Sequence, residues 1–223
     1  MNIKEKYAYL WGEDSKELYS KGLYDWMAEN INEYKNILEV GCGIGFSTLS
    51  LLKKNHNVVS IEFNDFCINK TEDLVKEKGY NNFKIIKYNI SESNCLNILK
   101  EINQKINIII CWNPGGANSL SNVEKIAVLK DLQTLGYLEP ENGFYNNYSE
   151  NLIRSACKLG QKLNVDVHII DRDDNKDRVI SDYMNIEEYG FKNLIFKQKR
   201  EMSNKRTMGI EEMIYYKSFL LTR

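Results

Sequence analysis

Proline and histidine are scarce in this chain of 223 residues, with two of each, and positive and negative charges nearly cancel to a formal net charge of −1. Each shortage removes a class of function. His56 and His168 cannot supply a multi-histidine metal centre, so no metal is expected in the chemistry. Cys42, Cys67, Cys95, Cys111 and Cys157 form no C-x-x-C pair and no zinc spacing, and an odd, dispersed set reads as the reduced thiols of a cytoplasmic protein. The absence of a basic excess argues against broad binding to nucleic acid. One local basic patch leaves that partner open: Lys192, Lys197, Lys199, Arg200, Lys205 and Arg206, which read equally as a strand edge guarded by charge. The first six residues contain no apolar signal core, and no run is long enough to span a bilayer, so no membrane association is expected. Pro114 and Pro140 fall between periodic segments and mark loops, with no linker, repeat or low-complexity tract beside them. The expectation is one domain over residues 1–223, whose residues 1–35 form a helical cover. The oligomeric state is not legible.

What the chain does carry is a strand, a glycine turn and a helix. Residues 37–40 are a short apolar run, Gly41, Gly43 and Gly45 allow a sharp turn, and residues 46–54 continue with helical character. A second apolar run, residues 58–62, ends in Glu62, whose carboxylate can accept from two hydroxyls at once. A dinucleotide fingerprint would read G-x-G-x-x-G, but Phe46 stands where its third glycine belongs, which speaks against a nicotinamide-dependent oxidoreductase. Glu39, two positions before the first glycine, would repel a pyrophosphate and suits a cationic or zwitterionic ligand.

The run E-x-G-x-G-x-G at residues 39–45 resembles the first motif of the class I S-adenosylmethionine-dependent methyltransferases, and Glu62 matches the ribose-binding acid of their second motif. The similarity covers roughly residues 36–116 in motif order. It implies an α/β fold: a Rossmann-like, mostly parallel seven-stranded sheet with helices on both faces and the last strand antiparallel. It also implies S-adenosylmethionine as cofactor. Glu39, Gly41, Gly43 and Gly45 would then hold the methionine end and backbone, Glu62 the ribose, and Phe63, Asn89 and Ile90 the adenine. Residues 84–90 resemble the third strand and its turn, with Asn89 where the family often has Asp.

Further along, residues 106–111 have a continuous apolar core and read as a fully buried parallel strand. Trp112-Asn113-Pro114-Gly115-Gly116 then leaves the sheet at its carboxyl edge, where open α/β sheets bind ligands. Asn113-Pro114 resembles the first half of the N-P-P-Y motif of amino-group methyltransferases, but Gly115-Gly116 replace the second proline and the aromatic ring. It reads otherwise as a strand terminator. Helices are expected from a capping box at Asp14-Ser15-Lys16-Glu17 through Ile31, over 65–78, over 118–135 and over 148–163. The aromatic segment 7–13 would precede the first of these as a lid or a core cover. Strands are expected at 165–171, 194–197 and 213–221, with a short helix near 187–191. Asp171 would end the fifth strand as a candidate base.

Transfer from a sulfonium needs mainly in-line positioning and exclusion of water, which accounts for the lack of a nucleophile or triad. The sequence therefore points to a methyltransferase acting on a small-molecule substrate, with Asn113 and Asp171 at the acceptor. The alternatives are a nucleic acid or protein acceptor, and a nucleoside-binding module without catalysis.

Overall fold

The computed structural model describes residues 3–90, 98–113, 146–173, 175–182, 184–207 and 210–223. Five strands run parallel: β1 (Asn36–Val40), β2 (Asn57–Glu62), β3 (Phe83–Lys87), β4 (Ile108–Trp112) and β5 (Asp166–Asp173). The C-terminal hairpin of β6 (Asn193–Thr207) and β7 (Ile210–Thr222) completes a seven-stranded sheet of order β3-β2-β1-β4-β5-β7-β6, in which β7 is antiparallel to both neighbours. This is the sheet that the motif order implied. The centre is held by register: Val40 of β1 lies opposite Ile61 of β2 and Cys111 of β4, so the strand ends that follow these residues share one edge.

Alternation along the strands divides the core in two. Leu38, Val40, Val59, Ile61, Ile109 and Ile169 face one layer, covered by α6 (Asn146–Leu163) through Ile153, Ala156, Cys157 and Leu159. Ile37, Val58, Ile108, Ile110 and Ile170 face the other. That layer is covered by α2 (Leu23–Glu29), α3 (Phe46–Lys53) and α4 (Asp65–Glu77), through Leu23, Met27, Leu51, Leu52 and Val75. Each fully buried Ile or Leu here contributes about 1.5–3 kcal/mol relative to exposure, so the sheet centre is rigid ground for a site at its edge.

Several boundaries differ from the sequence expectation. There is no helix start at Asp14: α1 runs unbroken over Ile3–Ser20, so residues 14–17 lie inside it and the aromatic segment 7–13 is helical and not a preceding strap. Gly12, the helix-disfavouring residue just before Asp14, stays inside α1, where a Cβ would stand 3.0 Å from Ile44 Cδ1, so the capping pattern had no turn to cap. Nor does this helix continue to Ile31, because Gly22 at φ 67° ends the first segment and begins α2. The third strand stops at Lys87, which leaves Asn89 and Ile90 in the following turn. The β6–β7 hairpin is longer than its apolar segments suggested, since ladder pairing carries polar residues beyond them. Its outer strand exposes Leu194, Ile195 and Phe196, followed by Lys197, Lys199 and Arg200, charges that discourage edge pairing. α5 (Ile98–Glu101) is a single turn before β4. The helix expected over 118–135, with Pro114, Gly115 and Gly116, lies outside the described residues. No helix among those described is long and apolar enough to cross a membrane.

Candidate active site at the carboxyl edge of the sheet

The glycine turn forms the floor of a cleft. Gly41 and Gly43 line it with φ 75° and 54°, and a Cβ on either would meet nothing within 4 Å, so the main chain is presented bare to whatever fills the space. Gly45 differs. A Cβ there would stand 3.0 Å from the Thr71 Cα, so this glycine lets α3 approach α4 and is not part of the cleft wall.

Glu39 is likewise beneath the cleft and not on its wall. It is 2% exposed, and its carboxylate accepts from the Ser47 and Thr48 hydroxyls of α3 and the Ser60 hydroxyl of β2, each at 2.6 Å. Burial pushes its carboxyl above the ordinary range, and the three hydroxyls pull it back. Its role is to tie the turn, the helix and the neighbouring strand together. Cys42 lines the cleft, but burial and the two nearby carboxylates hold its thiol well above its usual value, so it carries no thiolate.

Glu62 does reach the cleft. Its Oε2 accepts from the Gly43 amide at 3.2 Å, and its Oε1 from the amides of Phe63 at 2.9 Å and Asn64 at 3.0 Å. A carboxylate offers about four acceptor directions, so three amides orient the group and leave capacity for a ligand hydroxyl. Burial raises its carboxyl above the usual range against the pull of those amides. Phe63, Asn89 and Ile90 line the same end, together with Tyr88, which the motif reading missed.

The opposite end is assembled from distant segments. Asn113 leaves β4 at φ 49°, a conformation that Asn tolerates, and its amide donates to the Ile170 carbonyl at 2.7 Å. Its Oδ1 is buried and has no hydrogen-bond partner among the described residues. Beside it the Trp112 indole N–H donates to His168 Nδ1 at 3.0 Å, which leaves the His168 Nε2–H to donate to the Ser218 hydroxyl at 2.8 Å. Burial lowers His168 to about 3, so the ring is neutral and fixed in one tautomer. The Tyr24 ring lies near-parallel to that of Trp112, at 6.5 Å between centroids and 20° between planes, and its hydroxyl is 2.9 Å from the Ser15 Oγ. Trp11, Asp14, Ser15 and Leu18 of α1 form the roof, and Arg172 of β5 closes the far wall. Asp171 is not on that wall; its Oδ1 accepts from the Arg172 amide, and alternation along β5 turns the two side chains to opposite faces. The strand register, Trp112 opposite Ile170, was the missing signal: it selects Arg172 and not Asp171 for the face that bears Trp112.

Comparison with known proteins agrees with this architecture. Residues 31–135, just under half of the chain, match the model of a methyltransferase domain family. No curated protein sequence matches. Among solved structures, a protein of Pyrococcus horikoshii provisionally described as an RNA methyltransferase superposes with a TM-score of 0.55 at 12% identity, over 92% of this chain and 84% of its own. The magnesium protoporphyrin IX methyltransferase of Synechocystis, solved with bound S-adenosylmethionine, gives 0.51 at 12% identity, over 94% and 80%. At such identity these structures speak for the fold alone. The cleft itself fits that cofactor, with bare main chain at Gly41 and Gly43 and the oriented Glu62 carboxylate beside it. The glycine motif, the sheet order and the domain matched over residues 31–135 are together those of a class I S-adenosylmethionine-dependent methyltransferase.

Proposed function

We propose that the enzyme methylates a small molecule, enclosed between the glycine turn and the helix α1, within one catalytic domain spanning residues 1–223. The observation that carries this reading is the roof. α1 contributes Trp11, Asp14, Ser15 and Leu18 to the cleft, and the Asn64 side chain fastens its beginning by donating to the Lys4 carbonyl at 3.0 Å. A roofed compartment suits an acceptor that can be surrounded, whereas a polymer needs an open groove.

When bound, S-adenosylmethionine supplies a methyl group on a sulfonium, already a good leaving group. The chain's own part is to position and to exclude water. Gly41 and Gly43 would lie along the methionine end, Glu62 would accept from the ribose hydroxyls, and Phe63, Asn89 and Ile90 would enclose the adenine. Glu39 and Gly45 would act through the shape of the turn. Asn113 would orient the acceptor, its unpartnered Oδ1 taking a hydrogen bond from an N–H or O–H of the substrate. Asp171, off the wall, is given no step.

Incubation with methyl-labelled S-adenosylmethionine and an extract of the source cells, followed by separation by size, tests the reading. Label is expected among small molecules. Label recovered in RNA or protein would overturn it.

A further inference from the structure

The charge on the far wall is unbalanced. Arg172 is half-buried, lines the cleft and stands opposite Tyr216 of β7, whose hydroxyl burial pushes up and the guanidinium charge pulls down, with Tyr24 close by. Among the described residues it enters no ion pair, and although Asp14 shares the cleft, the two charges are not within 4.0 Å of each other. A guanidinium stays protonated in any protein environment, and one drawn partly out of water without a counter-ion is costly until an anion arrives. Its planar fork matches a carboxylate or phosphate in two parallel hydrogen bonds.

The position of this charge separates it from the nucleoside end. Glu62 ends β2 and Arg172 lies near the end of β5, with β1 and β4 between them. At about 4.8 Å per strand that is about 14 Å across the sheet. Asn113, with its buried Oδ1 unpartnered among the described residues, directly follows β4, the strand beside that of Arg172. An anion receptor and a hydrogen-bond acceptor thus stand on adjacent strands, on the side of the cleft away from the ribose position.

Resting on the reading above, we infer that the acceptor is an anionic small molecule, whose carboxylate or phosphate is held by Arg172 while an N–H or O–H of the same molecule donates to Asn113. Trp112, locked by His168, and Tyr24 supply the apolar surface between these two points. An Arg at this wall would then set specificity, since a neutral analogue leaves the guanidinium unpaired.

Calorimetric titration of the complex with S-adenosylhomocysteine tests this, using benzoate and phenyl phosphate against neutral benzamide. At least one anion should bind about tenfold or more tighter than benzamide, the margin expected of one charge-assisted pair, and the tighter one tells carboxylate from phosphate. Arg172→Met should abolish the preference, and Arg172→Lys should retain part of it, with affinity for S-adenosylhomocysteine unchanged within about twofold in both. Equal affinities, or no saturable binding of either anion by about 1 mM, would overturn the inference. So would a loss of S-adenosylhomocysteine affinity of about tenfold or more in Arg172→Met, because the guanidinium would then belong to the cofactor's own carboxylate. If Arg172→Met does not fold, Arg172→Lys and the unaltered protein carry the same comparison. Label found in a polymer would remove the small-molecule reading and leave an anion site at Arg172 standing, whereas label in small molecules without anion preference would remove only the latter.

Discussion

On the β1–β2 side of the cleft, the polar contacts that shape the glycine turn close within 29 positions of the chain: Ser47, Thr48 and Ser60 onto Glu39, the Gly43 amide onto Glu62, and the Thr71 hydroxyl against the Gly43 carbonyl and Cys42. On the β4–β5 side the corresponding contacts reach much further. Trp112 and His168 are 56 positions apart, His168 and Ser218 are 50, and the Asn30 side chain meets the Ser218 hydroxyl across 188. The difference has a functional consequence. A cofactor site made of one contiguous strand–turn–helix–strand segment is specified as a unit and brings its chemistry with it. The proposed acceptor site, with walls from α1, α2, β4 and β5, could change one wall at a time without disturbing the cofactor. Predictions follow from that division: changes on the first side should act on folding or on cofactor binding, and changes on the second on the acceptor.

The largest effect is expected at Glu39. Glu39→Ala removes three charge-assisted hydrogen bonds and strands three buried hydroxyls, and should lower stability by about 3–5 kcal/mol, the range for breaking a buried charged network. Glu39→Gln keeps the shape and should lose less. Thermal and urea unfolding would measure both. If Glu39→Ala folds normally yet fails to bind S-adenosylhomocysteine, the carboxylate is a ligand contact and the packing account of it is wrong.

Next in size is Asn113. Asn113→Ala should lower turnover about 10²-fold, the scale of a misplaced reactant, while S-adenosylhomocysteine affinity stays within a few tenths of a kcal/mol. Steady-state kinetics on the identified acceptor and calorimetry with S-adenosylhomocysteine separate the two. Loss of cofactor affinity in this variant would erase the boundary between the two sides of the cleft.

How much of this was legible depended on sequence distance. The sheet centre could be read because residues 37–40, 58–62 and 108–111 are short, mainly apolar runs of strand length bounded by turns, as a buried parallel sheet requires. Gly41, Gly43 and Glu62 could be read because a local motif carries their geometry. Trp11, Asp14, Tyr24 and Arg172 could not, since each becomes a wall residue only when α1 is folded over the sheet edge and β5 is in register with β4. Asp14 even misled: the pattern that would cap a helix lies within one. The roles of Glu39 and Gly45 show a finer limit. Motif position placed both near the cofactor, but alternation along β1 and the proximity of Thr71 put them one layer below the cleft surface.

Glu62 should lie next in size. Glu62→Ala should weaken S-adenosylhomocysteine by about 1.5–3 kcal/mol, the worth of hydrogen bonds to a charged group, with little effect on folding. The pH dependence has a definite sign. Only the ionised carboxylate accepts from two hydroxyls, and its value in the folded protein is raised above 4.5 by burial. Affinity should therefore be full above that raised value and fall as pH drops through it, starting less acidic than an ordinary carboxylate would. Glu62→Gln should bind weakly with a flat profile. A wild-type profile that is flat down to pH 4.5 would show that Glu62 does not hold the ribose.

The smallest effect, and a test of how independent the acceptor side is, belongs to Tyr24. Tyr24→Phe removes the hydrogen bond to Ser15, which joins α2 to the roof helix, and should cost about 0.5–1.5 kcal/mol of stability without altering S-adenosylhomocysteine affinity. Burial raises the Tyr24 hydroxyl from 10.0 to about 12, against the weaker pull of Ser15 and Arg172. A raised folded-state value means that the neutral phenol's contribution is complete below pH 10 and is lost as pH rises toward about 12. Unfolding measured across that interval should fall more steeply in the wild type than in Tyr24→Phe. Were both to lose stability in parallel, Tyr24 would be ionising as freely in the fold as in the open chain, and the roof over the acceptor compartment would not be closed there.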